Sequence, residues 1–508
     1  MLLVLFVLRQ ASSLVRGRGA AAPARQMSAL FATAEEREKL LPDAVAWCVG
    51  HGALYALKST EDEKLGKSAF EHAPFALAPF CWPRASYEHV VALQPLFNVL
   101  VDRVARDGPW LRATLAEAAA GDAFTARLLR VHADCSGDQQ VACGLLRSDY
   151  MLDVGGGAPR ALQVELNTVA ASFGCLSTTI AALHRFLEER LGGDAKDLPL
   201  NGAAAGLANG LAVAHVEYAR QRGAAPGAAR LVMVVQPGER NQLDQRKLEY
   251  ELWENHAISI ERLTLAQLAA RAAVDAGGAL VVTHPSDGTS FEVSVAYFRA
   301  GYAPDDYPSE LEWAAREVIE QSNAIKCPTA AYQLAGTKKV QQALAAPGVL
   351  ERFLPDGDDA ARLRTCFAGL YDLDVAAGTA ADAAVAAALA EPQRFVLKPQ
   401  REGGGNNFYG EDLARELRAM APQQRAAFIL MDRIVPPAAD ATLVRDGMAI
   451  VGACVAELGI YGTLVTDGRR TLLNETCGHL LRQKLLGVDE GGVAAGFAVL
   501  SSPRLVDA

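Results

Sequence analysis

The chain has 508 residues, long enough for about three domain-sized units. It is 51% hydrophobic and 21% charged, which leaves ample material for buried cores. Its formal charge of −10 comes without a long basic run, which speaks against a nucleic-acid surface and for small-molecule chemistry. The nine cysteines are scattered, odd in number and lack a CxxC pair, so neither a disulfide framework nor a zinc site is read from them.

In chain order, residues 1–33 form a leader. Met1 to Val7 is apolar, Arg9, Arg16, Arg18 and Arg25 follow, and no acidic residue precedes Glu35. The apolar run is shorter than the ~20 residues that span a bilayer. The leader resembles an organelle transit segment; a secretory signal, an untargeted tail or a start at Met27 are the alternatives. No other segment reads as transmembrane.

From about Glu36 to Phe186 the pattern is mainly helical, with apolar residues at helical spacing over Tyr87 to Val104 and Phe124 to Val131. Leu162 to Asn167 alternates apolar and polar in a strand-like period of two. Gly223 to Ala229 reads as a linker. Beyond it, strand candidates at Leu231 to Val235, Ile258 to Ile260, Ala279 to Val282 and Val293 to Phe298 surround a helix at Leu243 to Asn255. This alternation predicts a small α/β domain with a largely parallel sheet. Ser322 onward returns to helix, with Gly336-Thr337-Lys338-Lys339 opening a charged turn, and the Ala-rich Asp374 to Glu391 predicts a solvated helix. The remainder is strand-rich: Arg394 to Leu397, Ala427 to Met431, Ala449 to Leu458 and Gly462 to Val465. The expected divisions are 34–225, 226–337 and 338–508.

Chemistry concentrates in four places. Phe395 to Leu397 delivers Lys398, Arg401 and Glu402 into Gly403, Gly404 and Gly405, followed by Asn406 and Asn407. Glycines let backbone N–H groups close around phosphate oxygens, Lys398 adds a point charge, and Glu402 offers a hard oxygen to Mg²⁺. The GxxxxGK[ST] phosphate loop is absent from the chain. On the alternating strand, Gln163, Glu165 and Asn167 share a face, so Glu165 and Asn167 present two oxygen ligands; an ordinary half-exposed strand is the alternative. Arg147, in Arg147-Ser148-Asp149-Tyr150, suits a carboxylate clamp through its bidentate fork. Finally, Arg482 and Lys484 precede the small-residue run Gly491 to Gly496, which could close over an anion as a lid.

Lys398 to Tyr409, Glu165 to Phe173 and Arg147 to Tyr150 resemble motifs of the eukaryotic glutathione synthetase family. Glu239-Arg240-Asn241 with Asp244-Gln245, Leu334 to Val340, Glu457 to Ile460 and Gly491 to Gly496 are similar to others, in the family's order from about Leu41 to the C-terminus. The resemblance implies an α/β (α+β) ATP-grasp fold with an inserted small α/β substrate-binding domain (226–337) and a glycine-rich lid. It implies a homodimeric, ATP- and Mg²⁺-dependent ligase joining γ-glutamylcysteine to glycine through an acyl phosphate; the charge pattern and the lack of a long apolar segment point to no nucleic-acid or membrane partner. The implied location is cytoplasmic, or mitochondrial or plastidic if the leader is used.

Carried over by motif, Glu165, Asn167 and Glu402 hold Mg²⁺. Glu165, Lys338, Lys398, Gly403 to Gly405, Asn407, Tyr409, Met431, Asp432, Arg433, Ile434, Glu457, Lys484 and Glu490 surround the nucleotide. Arg147, Val169, Ala170, Ala171, Ser172, Glu239, Arg240, Asn241, Gln245, Arg299, Ala300, Gly301, Tyr302, Arg482, Val493 and Ala494 contact the dipeptide. Arg147, Lys398 and Arg482 are the expected catalytic set. Ala170 stands where the family commonly has serine, Asp432-Arg433 replaces a frequent Glu-Lys pair, and Glu490 replaces an aspartate. These departures bear on affinity rather than on the fold. The Ala494-Ala495 pair resembles glycine-using members. Rival readings are a ligase with another acceptor, such as β-alanine or serine, and a catalytically silent nucleotide-binding protein.

Overall fold

The computed structural model describes residues 34–57, 70–135, 138–223, 226–400, 406–489, 491–494 and 496–507. The leader, the 401–405 segment and Glu490 therefore lie outside the described residues.

Three helices in succession, Arg84–Arg106, Gly108–Gly121 and Ala123–Asp134, form one flank. In the first, Val90, Leu93, Phe97, Leu100, Val101 and Val104 recur every three or four residues and are buried together. The next two helices start where an aspartate accepts from an otherwise unpaired backbone N–H: Asp107 from Trp110 N (3.1 Å) and Asp122 from Thr125 N (3.0 Å).

The first of these helices packs on a seven-stranded sheet whose spatial order is 439–445, 75–76, 499–501, 471–485, 448–466, 142–153 and 160–167. The pairings are antiparallel apart from that of 75–76 with 499–501. Sequence spacing predicts two strands over 449–465, but one 19-residue strand runs from Met448 to Thr466, bent by a register shift between Tyr461 and Gly462. At the shift the helix Arg84–Arg106 presses so close that a Cβ on Gly462 would lie 2.3 Å from Asn98 Oδ1. A side chain there would have to displace the buried Asn98 and Gln94 side chains.

The second sheet holds strands from 229 to 327 and is more mixed than the sequence suggested. Ala229–Val234 pairs in parallel with Ile260–Leu263 and with Ser290–Phe298, which also pairs in parallel with Ile325–Cys327. Leu280–Thr283 and Ala272–Val274 add antiparallel pairings at the other end. The expected helix is present as Gln242–His256. Lys338 and Lys339 open a helix, Lys338–Ala345, rather than a turn, and both are buried.

A third, four-stranded antiparallel sheet follows the order 370–371, 428–432, 395–399 and 408–409. One face is covered by the helices Thr379–Ala390 and Gly410–Ala419. The Ala-rich helix is not simply solvated: Ala384, Val385 and Ala388 pack against Phe395, Leu397, Leu413 and Leu417. Alanine there permits close approach of helix and sheet. Met431 meets Leu162 of the large sheet, and residues of both sheets line a shared cleft.

Candidate active site

The cleft has two connected parts. The first, about 150 Å³, is walled by apolar side chains from both sheets, including Val396, Met431, Ile434, Val455 and Leu486. Asp432, Asp489, Arg433, Asn407, Tyr409, Lys398 and Lys484 are the polar part of its lining. An apolar slot with cations at one end suits a flat aromatic base carrying a phosphate chain. The second part, about 220 Å³, shares Lys398, Asn407, Tyr409 and Lys484 with the first. It adds Arg147, Glu165, Asn167, Glu457, Arg482, Tyr302, Val493, Ala494 and the Val169, Ala170 and Ser172 turn.

Strand geometry explains how these groups converge. Lys398 ends the strand Phe395–Pro399, and its Nζ donates to Val164 O across the cleft (2.9 Å). Lys338 Nζ lies 3.6 Å from Glu165 Oε2. Burial opposes ionisation of Glu165, but Lys338, Lys398, Arg482 and Arg147 together outweigh it and hold the carboxyl well below its usual range. Glu457 goes the other way: burial raises it, Asp149 and Glu165 add to the rise, and its contact with Arg482 only partly compensates.

Strict alternation fails at one position on the strand Arg160–Asn167. A register shift opposite Asp149 and Tyr150 pairs those residues with Glu165 and Gln163, leaving Val164 as the extra residue. Val164 lines the cleft beside Glu165 and Asn167, while Gln163 is buried, 3.3 Å from Gln341 Nε2. Gln163 therefore does not join Glu165 on the cleft face.

The turn after this strand is held under strain. Ala170 (φ 50°) and Phe173 (φ 72°) occupy the left-handed region without being glycine. Ser172 O accepts from Tyr461 OH (2.6 Å) and Arg147 Nη1 (3.1 Å), and Asp244 accepts from the backbone N–H groups of Phe173, Cys175 and Leu176. Arg299 reaches the turn indirectly, through Asp244 (3.2 Å). Ala171 and Ala300 are buried, and Gly301 O accepts from Gln333 Nε2 (2.9 Å).

Glu239, Asn241 and Gln245 are not among the residues lining either part of the cleft but form a local network: Glu239 accepts from Asn241 N (2.7 Å) and Gln245 Nε2 (3.2 Å). Arg240 lies over the Tyr55 ring and donates to Ala494 O (3.4 Å). That contact ties the network to the Gly491–Ala494 segment. Gly403, Gly404, Gly405, Glu402 and Glu490 fall outside the described residues. Three residues given no role from sequence prove central here: Asp149, Tyr461 and Asp244. Asp149 was signalled, because two residues from Arg147 on one strand share its face.

A slot between two sheets that opens into a cation-lined chamber fits an ATP-dependent ligase of the ATP-grasp class. Residues 34–505 match the model described as "Eukaryotic glutathione synthase, ATP binding domain". The chloroplastic glutathione synthetase of Solanum lycopersicum is 43% identical over 480 residues, covering 92% of this chain and 84% of that protein. The Homo sapiens glutathione synthetase is 41% identical over 489 residues, covering 94% and 99%. The chain belongs to the eukaryotic glutathione synthase family. Its fold is also that of a glutathione synthetase-like effector from Globodera pallida, solved without ligand: TM-score 0.72, 23% identity, 92% of this chain and 96% of that one.

Proposed function

We propose that the chain catalyses ATP-dependent ligation of γ-glutamylcysteine with glycine, yielding glutathione, ADP and phosphate. The observation that carries this reading is the continuity of the two compartments through Lys398 and Lys484. A phosphoryl group leaving the slot meets a carboxylate held in the cation-lined chamber. In the first step an oxygen of the cysteinyl carboxylate attacks the γ-phosphorus and ADP departs, leaving an acyl phosphate. In the second, the glycine amine attacks the acyl carbon, loses a proton and expels phosphate.

Little acid–base work is needed; the protein neutralises charge and aligns groups. Lys398 and Lys338 face the phosphate charge, and Arg147 with Arg482 faces the reacting carboxylate and its developing oxyanion. The dipeptide runs along the strained Val169–Ser172 turn towards Glu239–Asn241, Gln245 and Tyr302, with Arg299 stabilising the turn from behind. Val493 and Ala494 cover the acceptor.

The donors suit Mg²⁺. Glu165 stays ionised, and Asn167 commits its amide nitrogen to Asp149 Oδ2 (3.0 Å), leaving the carbonyl oxygen as a hard ligand. Glu165 and Asn167, with Glu402, would hold the ion, which when bound supplies charge neutralisation to the phosphates. Among the described residues no helix is long and apolar enough to cross a membrane. We read the working form as a cytoplasmic homodimer, with residues 1–33 directing an organellar pool where the leader is used. Fluorescent fusions with and without those residues test the targeting, and sedimentation tests the dimer.

The activity is tested by ADP release from Mg-ATP and γ-glutamylcysteine with glycine, β-alanine, serine or no acceptor. Glycine-dependent release matched by glutathione formation is the expected result. Preference for another acceptor redirects the substrate assignment. Binding of ATP without acceptor-dependent turnover establishes a silent nucleotide binder.

A further inference from the structure

Asp149 has no exposed side-chain surface and is not itself part of the chamber lining, yet it holds three side chains that are: Arg147, Asn167 and Arg482. Its Oδ1 accepts from Arg147 Nε (2.6 Å). Its Oδ2 accepts from Arg147 Nη2 (2.8 Å), Asn167 Nδ2 (3.0 Å) and Arg482 Nη2 (3.1 Å). One carboxylate thus binds side chains from three strands: 142–153, 160–167 and 471–485. Arg147 and Arg482 repel each other, and Asp149 lies between them as the shared counter-charge.

The neighbouring strand is shaped for this arrangement. Gly459 pairs with Asp149 across the sheet, and a Cβ on it would lie 2.6 Å from Asp149 Oδ1 and 2.7 Å from Arg147 Cδ. The ion pair lies flat on a backbone that carries no side chain at this point. A glycine here serves the site's geometry rather than a turn, since Gly459 is not among the residues of positive φ.

We infer that Asp149 is a positioning residue of the ligation reaction: it aligns Arg147 and Arg482 as one carboxylate-binding pair and orients the Asn167 amide beside them. It touches neither the nucleotide slot nor the lysines lining it. It acts on dipeptide binding and alignment, and reaches the nucleotide only through the Asn167 amide, a proposed Mg²⁺ ligand. This rests on the proposed reading of the chamber as the dipeptide site.

The experiment compares wild type with Asp149→Asn and Gly459→Ala, using calorimetric binding of γ-glutamylcysteine and, separately, of ATP in the absence of Mg²⁺. Steady-state kinetics and thermal unfolding complete the set. Asp149→Asn removes the counter-charge at constant volume; Gly459→Ala keeps every charge and displaces the pair. Both are expected to weaken dipeptide binding about tenfold or more and to lower kcat, with ATP affinity changed less than about threefold. Equal loss of both ligands, or a lowered Tm with dipeptide binding intact, overturns the inference. If Asp149→Asn does not fold, Gly459→Ala decides by the same criteria. Failure of the wild type to bind dipeptide refutes the functional reading instead.

Discussion

Replacing Gly336 by alanine tests how closely the Lys338 helix is set against the Glu165 strand. Gly336 has ordinary right-handed geometry (φ −84°, ψ −4°), so no backbone strain enters. The obstacle is space: a Cβ would stand 2.2 Å from Thr168 Oγ1 and 2.8 Å from its Cγ2. Carbon contacts relax at about 3.5–4.0 Å, so Thr168 or the turn must move by about 1 Å or more. Thr168 is 3% exposed and has little room, which places the overpacking cost at about 1–3 kcal/mol. Thr168 follows Asn167 directly, and Gly336 lies two residues before Lys338. The displacement therefore widens the 3.6 Å Lys338–Glu165 pair. If about 1.4 kcal/mol of the strain appears in nucleotide binding, the KM for ATP rises about tenfold. Steady-state kinetics with ATP varied, alongside thermal unfolding, measure both parts. Thr168→Ala in the same chain removes Oγ1 and Cγ2 and leaves Cβ as the nearest atom at 3.0 Å. The double variant should recover most of the loss, giving a coupling above about 1 kcal/mol. A Gly336→Ala protein with normal KM and Tm refutes the reasoning, as does a double variant that merely sums the single effects.

Arg147→Ala should reduce turnover by about 10²–10³, the cost of losing one donor to a developing oxyanion, and near-normal kcat would remove it from the mechanism. Lys339 is buried, with Nζ 2.6 Å from Asp372 and 2.8 Å from Asp374, so Lys339→Met leaves the largely buried Asp374 carboxylate without its cation, Asp372 being partly solvated, and should cost about 3 kcal/mol in urea unfolding. Stability unchanged within error would show that the carboxylates find other partners. Burial pushes His184 down from 6.5 to about 4 despite its contact with Ala76 O, Arg504 adding to the fall. Unfolded chains then bind the extra proton between those values, so this contribution is complete above about pH 6.5 and is lost as pH falls towards 4, by up to ~3 kcal/mol. His184→Gln should flatten the stability profile across that window; an unchanged slope would place the acid sensitivity elsewhere.

Much of the site was legible because its parts are local. Lys398 at a strand end, Glu165 and Asn167 two residues apart, and Arg482 and Lys484 before a small-residue run are patterns that strand periodicity and charge make visible. The apolar spacing of Val90 to Val104 marked its helix for the same reason. Errors arose where a neighbour in space overrode a local rule. The register shift opposite Asp149 turned Val164 to the cleft and Gln163 away from it. Alanines expected to be solvated packed against Phe395 and Leu417, and the lysines at 338 and 339 were buried by carboxylates on other elements.

Sequence alone determined which groups are available: the lysines 338, 398 and 484, the oxygen donors of Glu165 and Asn167, and the arginines 147 and 482, each supported by its own stretch of chain. Tertiary structure decided how they are charged and aimed. Asp149 holds two arginines only because three strands converge on it, and Gly459 matters only because it lies opposite that pair. Electrostatic energy depends on distance and burial, and neither is written in sequence separation: Asp149 and Arg482 are 333 positions apart and 3.1 Å in space.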